Sequence, residues 1–350
     1  MTNSEPVLKV KNLTTLLDIG KKLYRVVDEV SFELYAGKTL AIVGESGCGK
    51  TLTALSIIRT LPEAASLDRE GEVLFEGRNL LTVSEREMRR IRGGRIAMIF
   101  QDPSSALNPV YTIGSQLMEV AELHLNLYGE DAYDLAVKSL GEVGIAHPEE
   151  RMWDYPHQMS GGMKQRVMIA MALMCKPKIL IADEPTTALD VTIQAQVLDL
   201  IRHLQQTNNM ALMLITHDMG IVAELADDVI VMYASQSIER GNAVEIFDHM
   251  AHPYTQGLFG SRAQFSDPHQ PLNPIKGSVP QLTHYPQACR FHPRCPYVME
   301  KCKALPPPNF EIDENPNHTA LCWLYDGSEE SKEKLSIDRF KIGQRRGSIK

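Results

Sequence analysis

Gly44-Glu45-Ser46-Gly47-Cys48-Gly49-Lys50-Thr51 is the stretch of this 350-residue chain that decides its fold. It fits G-x-x-x-x-G-K-[ST] and lies between an apolar β-like run, Leu40-Ala41-Ile42-Val43, and a segment of helical periodicity reaching Arg59. Glycines let backbone N–H groups close around phosphates, and the helix that follows adds the positive end of its dipole. Lys50 can reach the β and γ oxygens and the Thr51 hydroxyl can ligate Mg²⁺. The bland explanation is a chance glycine turn, and the strand and helix on either side argue against it. All eight residues, Gly44 to Thr51, are therefore assigned to a nucleotide-phosphate site.

A second element strengthens the assignment. Ile179-Leu180-Ile181-Ala182-Asp183-Glu184 reads as a buried strand ending in two carboxylates, the shape of a Walker B strand. Asp183 is expected to hold Mg²⁺, mostly through water, and Glu184 to polarise an attacking water as general base. Two acidic residues at a strand end are often merely solvated; combined with the phosphate loop they indicate a nucleotide hydrolase.

Outward from these elements, short β-like runs occupy Val7–Val10, Val30–Leu34 and Thr39–Val43, and strand character returns at Gly71–Phe75 and Ile96–Phe100. From about 102 to 158 the pattern is mostly helical, with Gln116–Leu127 and Tyr133–Val143 the best candidates, which predicts an inserted helical subdomain. Ala211–Ile215 and Val229–Met232 join Ile179–Ala182 as buried apolar runs of a parallel sheet. Prolines and polar residues between Ser261 and Pro286 predict a linker, and the charged stretch from Asp326 a mobile tail.

Composition bounds the rest. Lys plus Arg total 36 against 44 Asp plus Glu, a net charge of −8, and 43% of residues are apolar. That describes an ordinary globular protein and disfavours a general phosphate-backbone binder. Of the 20 prolines 12, and of the 6 cysteines 4, follow residue 250, so the chain divides into two regions. The opening MTNSEPVLKV has no basic and apolar leader pattern, and no apolar run approaches the roughly 20 residues of a bilayer span. A cytoplasmic location is expected, peripheral if the protein works at a membrane.

Met159-Ser160-Gly161-Gly162-Met163-Lys164-Gln165-Arg166 resembles the signature motif of ATP-binding cassette (ABC) ATPases. Other family elements follow in order: Gln101 matches the Q-loop glutamine, Ala188-Leu189-Asp190 the D-loop, and His217 the switch histidine. The signature departs from the commonest pattern at Met159 and Met163, the latter familiar in peptide-transporter subunits. The resemblance implies an α/β fold: a P-loop ABC ATPase cassette with a RecA-like core, an antiparallel β subdomain and the inserted helical subdomain, over residues 1–260. A small Pro/Cys-rich extension (261–325) and a flexible charged tail (326–350) would complete the chain. It further implies ATP and Mg²⁺ as cofactors, with Mg²⁺ held through Thr51, Gln101 and Asp183. Glu184, His217 and Gln101 would be catalytic. Ser160, Gly161, Gly162 and Met163 would bind the ATP of an opposite subunit, whose phosphate loop Asp190 would contact. The adenine-stacking aromatic is assigned to Tyr24, although Leu17 stands at the matching place in the family pattern, with Tyr24 nearby. Cys48 could be oxidised, but the plainer reading is a small residue tolerated in the loop.

Phe100-Gln101-Asp102-Pro103-Ser104-Ser105-Ala106-Leu107-Asn108-Pro109 is similar to the Q-loop segment of ATPases that power oligopeptide, dipeptide and nickel importers. His252-Pro253-Tyr254-Thr255 also recurs in that group. Cys289, Cys295, Cys302 and Cys322, spaced C-x5-C-x6-C-x19-C, resemble its C-terminal extension. A reducing cytosol disfavours disulfides there; four thiolates suit Zn²⁺ or an iron–sulfur cluster, and the spacing does not decide. The resemblance favours a [4Fe-4S] cluster, with zinc the alternative.

It implies an ATP-hydrolysing importer subunit at the cytoplasmic face of the cytoplasmic membrane. Its partners would be two transmembrane permeases, a second related ABC ATPase and an extracytoplasmic substrate-binding protein, with no nucleic acid. The cargo would be oligopeptides or dipeptides, with nickel or another small solute as alternative. A soluble ABC-type ATPase acting on nucleic acid or ribosomes is the rival class, and the single cassette without a long heptad run argues against it.

Overall fold

The computed structural model describes residues 5–61, 69–187, 191–261 and 275–336. Twelve strands among these residues form two sheets: β1 (Leu8–Ile19), β2 (Lys22–Leu34), β3 (Thr39–Val43), β4 (Arg69–Phe75), β5 (Arg78–Asn79), β6 (Ile96–Ile99), β7 (Ile179–Asp183), β8 (Ala211–Ile215), β9 (Asp228–Tyr233), β10 (Gln236–Asn242), β11 (Phe310–Ile312) and β12 (Asn315–Ala320). The smaller sheet is antiparallel in the order β2-β1-β4-β5, and the larger runs β11-β12-β10-β9-β3-β8-β7-β6. Within the larger sheet β9, β3, β8, β7 and β6 are mutually parallel, while β10, β12 and β11 are added antiparallel.

Alternation along the parallel strands builds cores on both faces. Leu40 and Ile42 of β3, Ile179 and Ile181 of β7, and Met213 and Ile215 of β8 pack toward the antiparallel sheet and the helix Lys50–Ile58. Leu180 and Ala182, with Leu212 and Leu214, face a second core shared with the helices Ile113–Leu125, Gly129–Glu142 and Gly161–Leu173. A period-two strand buried on both faces needs apolar residues at every position, which is why these strands read as unbroken runs in the sequence.

The chain departs from the sequence expectations in three places. β1 and β2 are far longer than the runs at Val7–Val10 and Val30–Leu34 and form one hairpin. Gly20 and Lys21 turn it, with φ of 63° and 69°, so both central residues are left-handed, as a tight hairpin turn requires. A Gly-Lys pair is a weak turn signal, and bulges between Val10 and Leu16 interrupt the alternation that would have revealed the strand. The extension does not stand apart: β12 pairs with β10, continuing the main sheet, and Phe291, Tyr297 and Leu324 share a third core with Val229, Val231, Tyr233 and Tyr254. The flexible tail expected from 326 is corrected over its first part. Glu329–Ser336 is a helix whose Ser331 is fully buried and donates to the Trp323 carbonyl at 3.1 Å. Residues 337–350 lie outside the described residues, as do 262–274 of the expected linker.

Between β6 and β7, where the inserted helical segment is expected, lie the helices Pro103–Ala106, Ile113–Leu125, Gly129–Glu142 and Pro148–Arg151, then Gly161–Leu173. Side-chain caps fix three of these helix starts: Thr112 accepts from Ser115 N–H at 3.2 Å, Asp102 from Ser104 N–H at 2.8 Å and Ser160 from Met163 N–H at 3.3 Å.

Candidate functional site

The phosphate loop leaves the carboxyl end of β3 and enters the helix Lys50–Ile58 through Gly49, whose φ of 104° is open to glycine. At Gly44 the demand is space: a Cβ there would lie 2.3 Å from the Met232 carbonyl oxygen. The Lys50 ammonium is buried and donates to the carbonyls of Gly44 (2.9 Å) and Glu45 (3.1 Å), arched over its own loop. Cys48 is fully buried, 3.9 Å from the Lys50 nitrogen, and burial raises its thiol pKa, so it packs as a small core residue.

Three neighbouring parallel strands deliver the other groups. Ile99 of β6 is paired with Ala182 of β7, and Asp183 with Ile215 of β8. Gln101, Glu184 and His217, which follow these strands, therefore emerge side by side at one sheet edge, the usual ligand position in open α/β sheets. Glu184 Oε2 accepts from Gln101 Nε2 at 3.1 Å and from the Thr187 hydroxyl at 2.9 Å, while Oε1 lies 3.1 Å from His217 Nδ1. Burial pushes the Glu184 carboxyl up, but the His217 and Thr187 hydrogen bonds, with the His217 and Lys50 charges, outweigh it and hold the group below the usual carboxylate range. Glu184 also has a φ of 47°, a left-handed conformation costing a non-glycine residue about 1–2 kcal/mol. Its N–H bond to the Ile215 carbonyl, at 2.8 Å, holds it there. Thr187 was not singled out from the sequence; no motif spacing marks it, and only the turn after β7 brings it back to the carboxylate.

Asp183 is buried, and its Oδ1 has no hydrogen-bond partner. Burial raises its pKa; the Thr51 hydroxyl lowers it, the Glu184 charge raises it and Lys50 lowers it. A dry, half-satisfied carboxylate beside a hydroxyl on the phosphate loop has the donor chemistry that a hard divalent cation needs, so these residues fit Mg²⁺.

Other assigned residues lie elsewhere. Ser160 caps the helix Gly161–Leu173, accepting from Met163 N–H at 3.3 Å, with Ser160 and Gly161 exposed. Among the described residues no hydrogen bond joins Ser160, Gly161, Gly162 or Met163 to the phosphate loop of the same chain. The helix is tied instead to the turn after β7, through Gln165 Nε2 donating to the Pro185 carbonyl at 2.7 Å. Tyr24 sits half-buried on β2 opposite Leu17, with Lys22 Nζ 5.3 Å from its ring centre. Two residues on, the Val26 carbonyl lies against Gly49. Asp190, with Ala188 and Leu189, lies outside the described residues.

The four C-terminal cysteines all lie in the extension. Cys289, Cys302 and Cys322 are buried, Cys295 is half-buried, and all are free thiols. Burial first, with neighbouring thiols of the set adding to it, raises the Cys289 thiol to about 11 and the Cys295 thiol to about 12. Among the described residues, no group of three or more His, Cys, Asp or Glu side chains is gathered as a metal ion would require. Nor, among the described residues, is any helix long and apolar enough to cross a membrane.

Residues 27–187 match the ABC transporter family and residues 238–302 the oligopeptide/dipeptide transporter C-terminal region. A probable peptide ABC transporter ATP-binding protein of Sinorhizobium fredii is 48% identical, over 91% of this chain and 94% of its own length. The dipeptide transport ATP-binding protein DppD of Bacillus subtilis is 47% identical, over 92% and 96%. Among solved structures, the dimeric post-hydrolysis ATP-binding cassette MJ0796, bound to ADP and Pi, superposes with a TM-score of 0.60 at 25% identity, covering 67% of this chain and 98% of that one. The cbiO1 subunit from Clostridium perfringens, part of an ABC transporter complex, superposes with a TM-score of 0.59 at 26% identity, covering 70% and 92%. With its phosphate loop, Walker B carboxylates and C-terminal region in one chain, this protein belongs to the ABC transporter family, as an ATP-hydrolysing ATP-binding protein of the oligopeptide/dipeptide transporter group.

Proposed function

We propose that this ATPase powers import of oligopeptides or dipeptides across a cytoplasmic membrane, acting as a peripheral subunit on its cytoplasmic face. The single observation that carries the catalytic part is the Glu184 carboxylate, held ionised in a left-handed turn between Gln101, Thr187 and His217. The peptide reading rests on the C-terminal region at 238–302 and on the relatives' names.

In this reading the phosphate-loop residues Gly44 to Thr51 bind the triphosphate and Tyr24 stacks on adenine. Lys50 gives up its carbonyl partners for the β and γ oxygens. Thr51, Asp183 and Gln101 would hold Mg²⁺, which when bound offsets phosphate charge. Glu184 takes a proton from water as it attacks in line, and His217 keeps the carboxylate oriented. The helix start at Ser160 to Met163, exposed at Ser160 and Gly161, suits a second cassette's nucleotide, with Asp190 contacting that cassette's phosphate loop, so two cassettes would close head to tail over ATP. That second cassette is proposed to be a related but distinct ATPase. Val110, Tyr111 and Trp153 are exposed large apolar residues of the segment after Gln101, and Tyr111 and Trp153 line a groove with Met118 and Met171. That groove is proposed as the seat of the permeases. The proposed organisation is a cassette over 1–260, with the helical subdomain at about 102–158, followed by the cysteine-bearing extension.

Four thiols, Cys289, Cys295, Cys302 and Cys322, have the donor chemistry of a [4Fe-4S] cluster, and we propose that they hold one with a structural role, on the resemblance of this extension to that of peptide-importer subunits. Zinc without iron in protein purified without oxygen, and no absorbance at about 400 nm, would reject it.

The test of function is reconstitution with the two permeases and the substrate-binding protein. Peptide-loaded binding protein should stimulate ATP hydrolysis. Stimulation by a nickel-loaded binding protein alone would overturn the peptide assignment.

A further inference from the structure

Glu45 places a carboxylate on the second residue of an anion-binding loop, which works against binding a nucleotide that carries several negative charges. The structure answers this charge from the far end of the chain. Arg294 Nη1 and Nη2 lie 2.7 and 3.1 Å from the two Glu45 oxygens, a bidentate pair with the Arg294 side chain only 5% exposed. The guanidinium is itself held in place: its Nε donates to the Lys276 carbonyl at 3.0 Å and Nη2 to that of Gly277 at 3.2 Å. Its plane lies over the Tyr233 ring, 5.7 Å from the centre, at the end of β9. The Glu45 N–H is taken by the Tyr254 hydroxyl at 2.8 Å, so both the backbone and the side chain of this loop residue are anchored by residues beyond β10. A second strut runs in parallel. Arg290 pairs with Asp28 and donates to the Ala234 carbonyl at 2.5 Å, while neighbouring Ser235 N–H bonds the Cys48 carbonyl of the loop at 2.9 Å.

We infer that Arg294 is a positioning residue for the nucleotide site: it neutralises Glu45 and holds its carboxylate off the phosphate path, so that the C-terminal extension sets the affinity of the phosphate loop. Nothing local marks this in the sequence, since the partners are 249 residues apart. The inference rests on the proposed triphosphate role of residues 44–51.

Its signature is a rescue. If Arg294 served only as packing, its loss would be insensitive to the charge at Glu45. If it neutralises Glu45, the harm of losing it comes from a stranded carboxylate, and removing that carboxylate must repair it. Mg-ATP affinity of the full-length chain is measured by titration calorimetry for the wild type, Arg294→Gln, Glu45→Gln and the double variant, with thermal unfolding of each as a folding check. Arg294→Gln should weaken binding about tenfold, the scale of one unpaired charge near a partly buried anion site. Glu45→Gln should tighten binding, because the loop loses a negative charge while Arg294 stays. The double variant should recover most of the loss. Wild-type affinity in Arg294→Gln, or a double variant as weak as Arg294→Gln, would overturn the inference while leaving the ATPase reading intact. A wild-type chain that binds no Mg-ATP would overturn both. Should Arg294→Gln not fold, Arg294→Lys with and without Glu45→Gln supplies the same comparison, because a single ammonium cannot reproduce the bidentate pair.

Discussion

Gln101 Nε2 donates to Glu184 Oε2 at 3.1 Å, joining residues 83 positions apart across the ends of β6 and β7. Gln101 also begins the segment that carries the exposed groove, so this bond links the proposed base to the surface where a permease would dock. A carboxylate with a defined orientation can relay which nucleotide is bound to whatever sits on that surface.

Glu184→Gln keeps the shape and the Gln101 contact but removes the basic oxygen. Mg-ATP binding should persist and turnover should fall by about 10²–10⁴, the usual worth of a general base. Single-turnover hydrolysis beside a binding isotherm checks this. Lys50→Ala should do the reverse, weakening binding first.

The acid limb of the rate profile should report Glu184 and depend on its contact with His217. Glu184 is held below the ordinary carboxylate range although burial works against it, because the His217 and Thr187 hydrogen bonds and nearby charges favour the ionised form. A depressed pKa keeps the base ionised at lower pH, so activity should survive mild acid. His217→Ala removes one favourable partner and leaves the burial, so the acid limb should move to higher pH. Profiles of kcat for the two proteins decide it, and superimposable limbs would refute the coupling.

Glu239 is the latch between the cassette and the extension. It is 1% exposed, accepts from the N–H groups of Ala251 (2.7 Å) and His252 (2.8 Å), and lies 3.0 Å from His318 Nε2 on β12. Glu239→Ala would strand three buried polar groups, at a cost of about 3 kcal/mol or more. A urea titration should show the loss, and limited proteolysis should cut earliest around β12.

His252 gives stability a pH slope of known sign. Burial pushes its pKa down to about 3, with only the Leu321 backbone opposing, while the unfolded value is about 6.5. The folded state therefore binds fewer protons between these values, and stability should fall as pH drops below about 6.5, by up to about 1.4 kcal/mol per unit. His252 Nδ1 also caps the helix Pro253–Gly260 by accepting from Tyr254 N–H at 3.0 Å. His252→Asn retains a capping oxygen and removes the titration. Thermal midpoints from pH 7 to 4 should decline less steeply in the variant; equal slopes would refute the assignment.

Much of the site is legible in the sequence because its parts are local. The phosphate loop needs glycines at fixed intervals, and Asp183 and Glu184 end an apolar run, so backbone geometry and strand burial write themselves into consecutive residues. The β1–β2 hairpin was half hidden because bulges broke its alternation, and Thr187 because nothing in its spacing distinguishes it.

The sequence by itself determined the cassette, the order of its motifs and the identity of the groups proposed to surround phosphate. Only the tertiary structure decided what those groups lean on. Arg294 reaches Glu45, Arg290 reaches Asp28, and β12 joins the main sheet, although each pair is separated by much of the chain. Ion pairs and edge-strand pairings between remote segments depend on how sheets stack and twist, and leave no periodicity in the residues that make them. The cysteine-bearing end, which composition alone sets apart as a second region, is for that reason a structural support of the first.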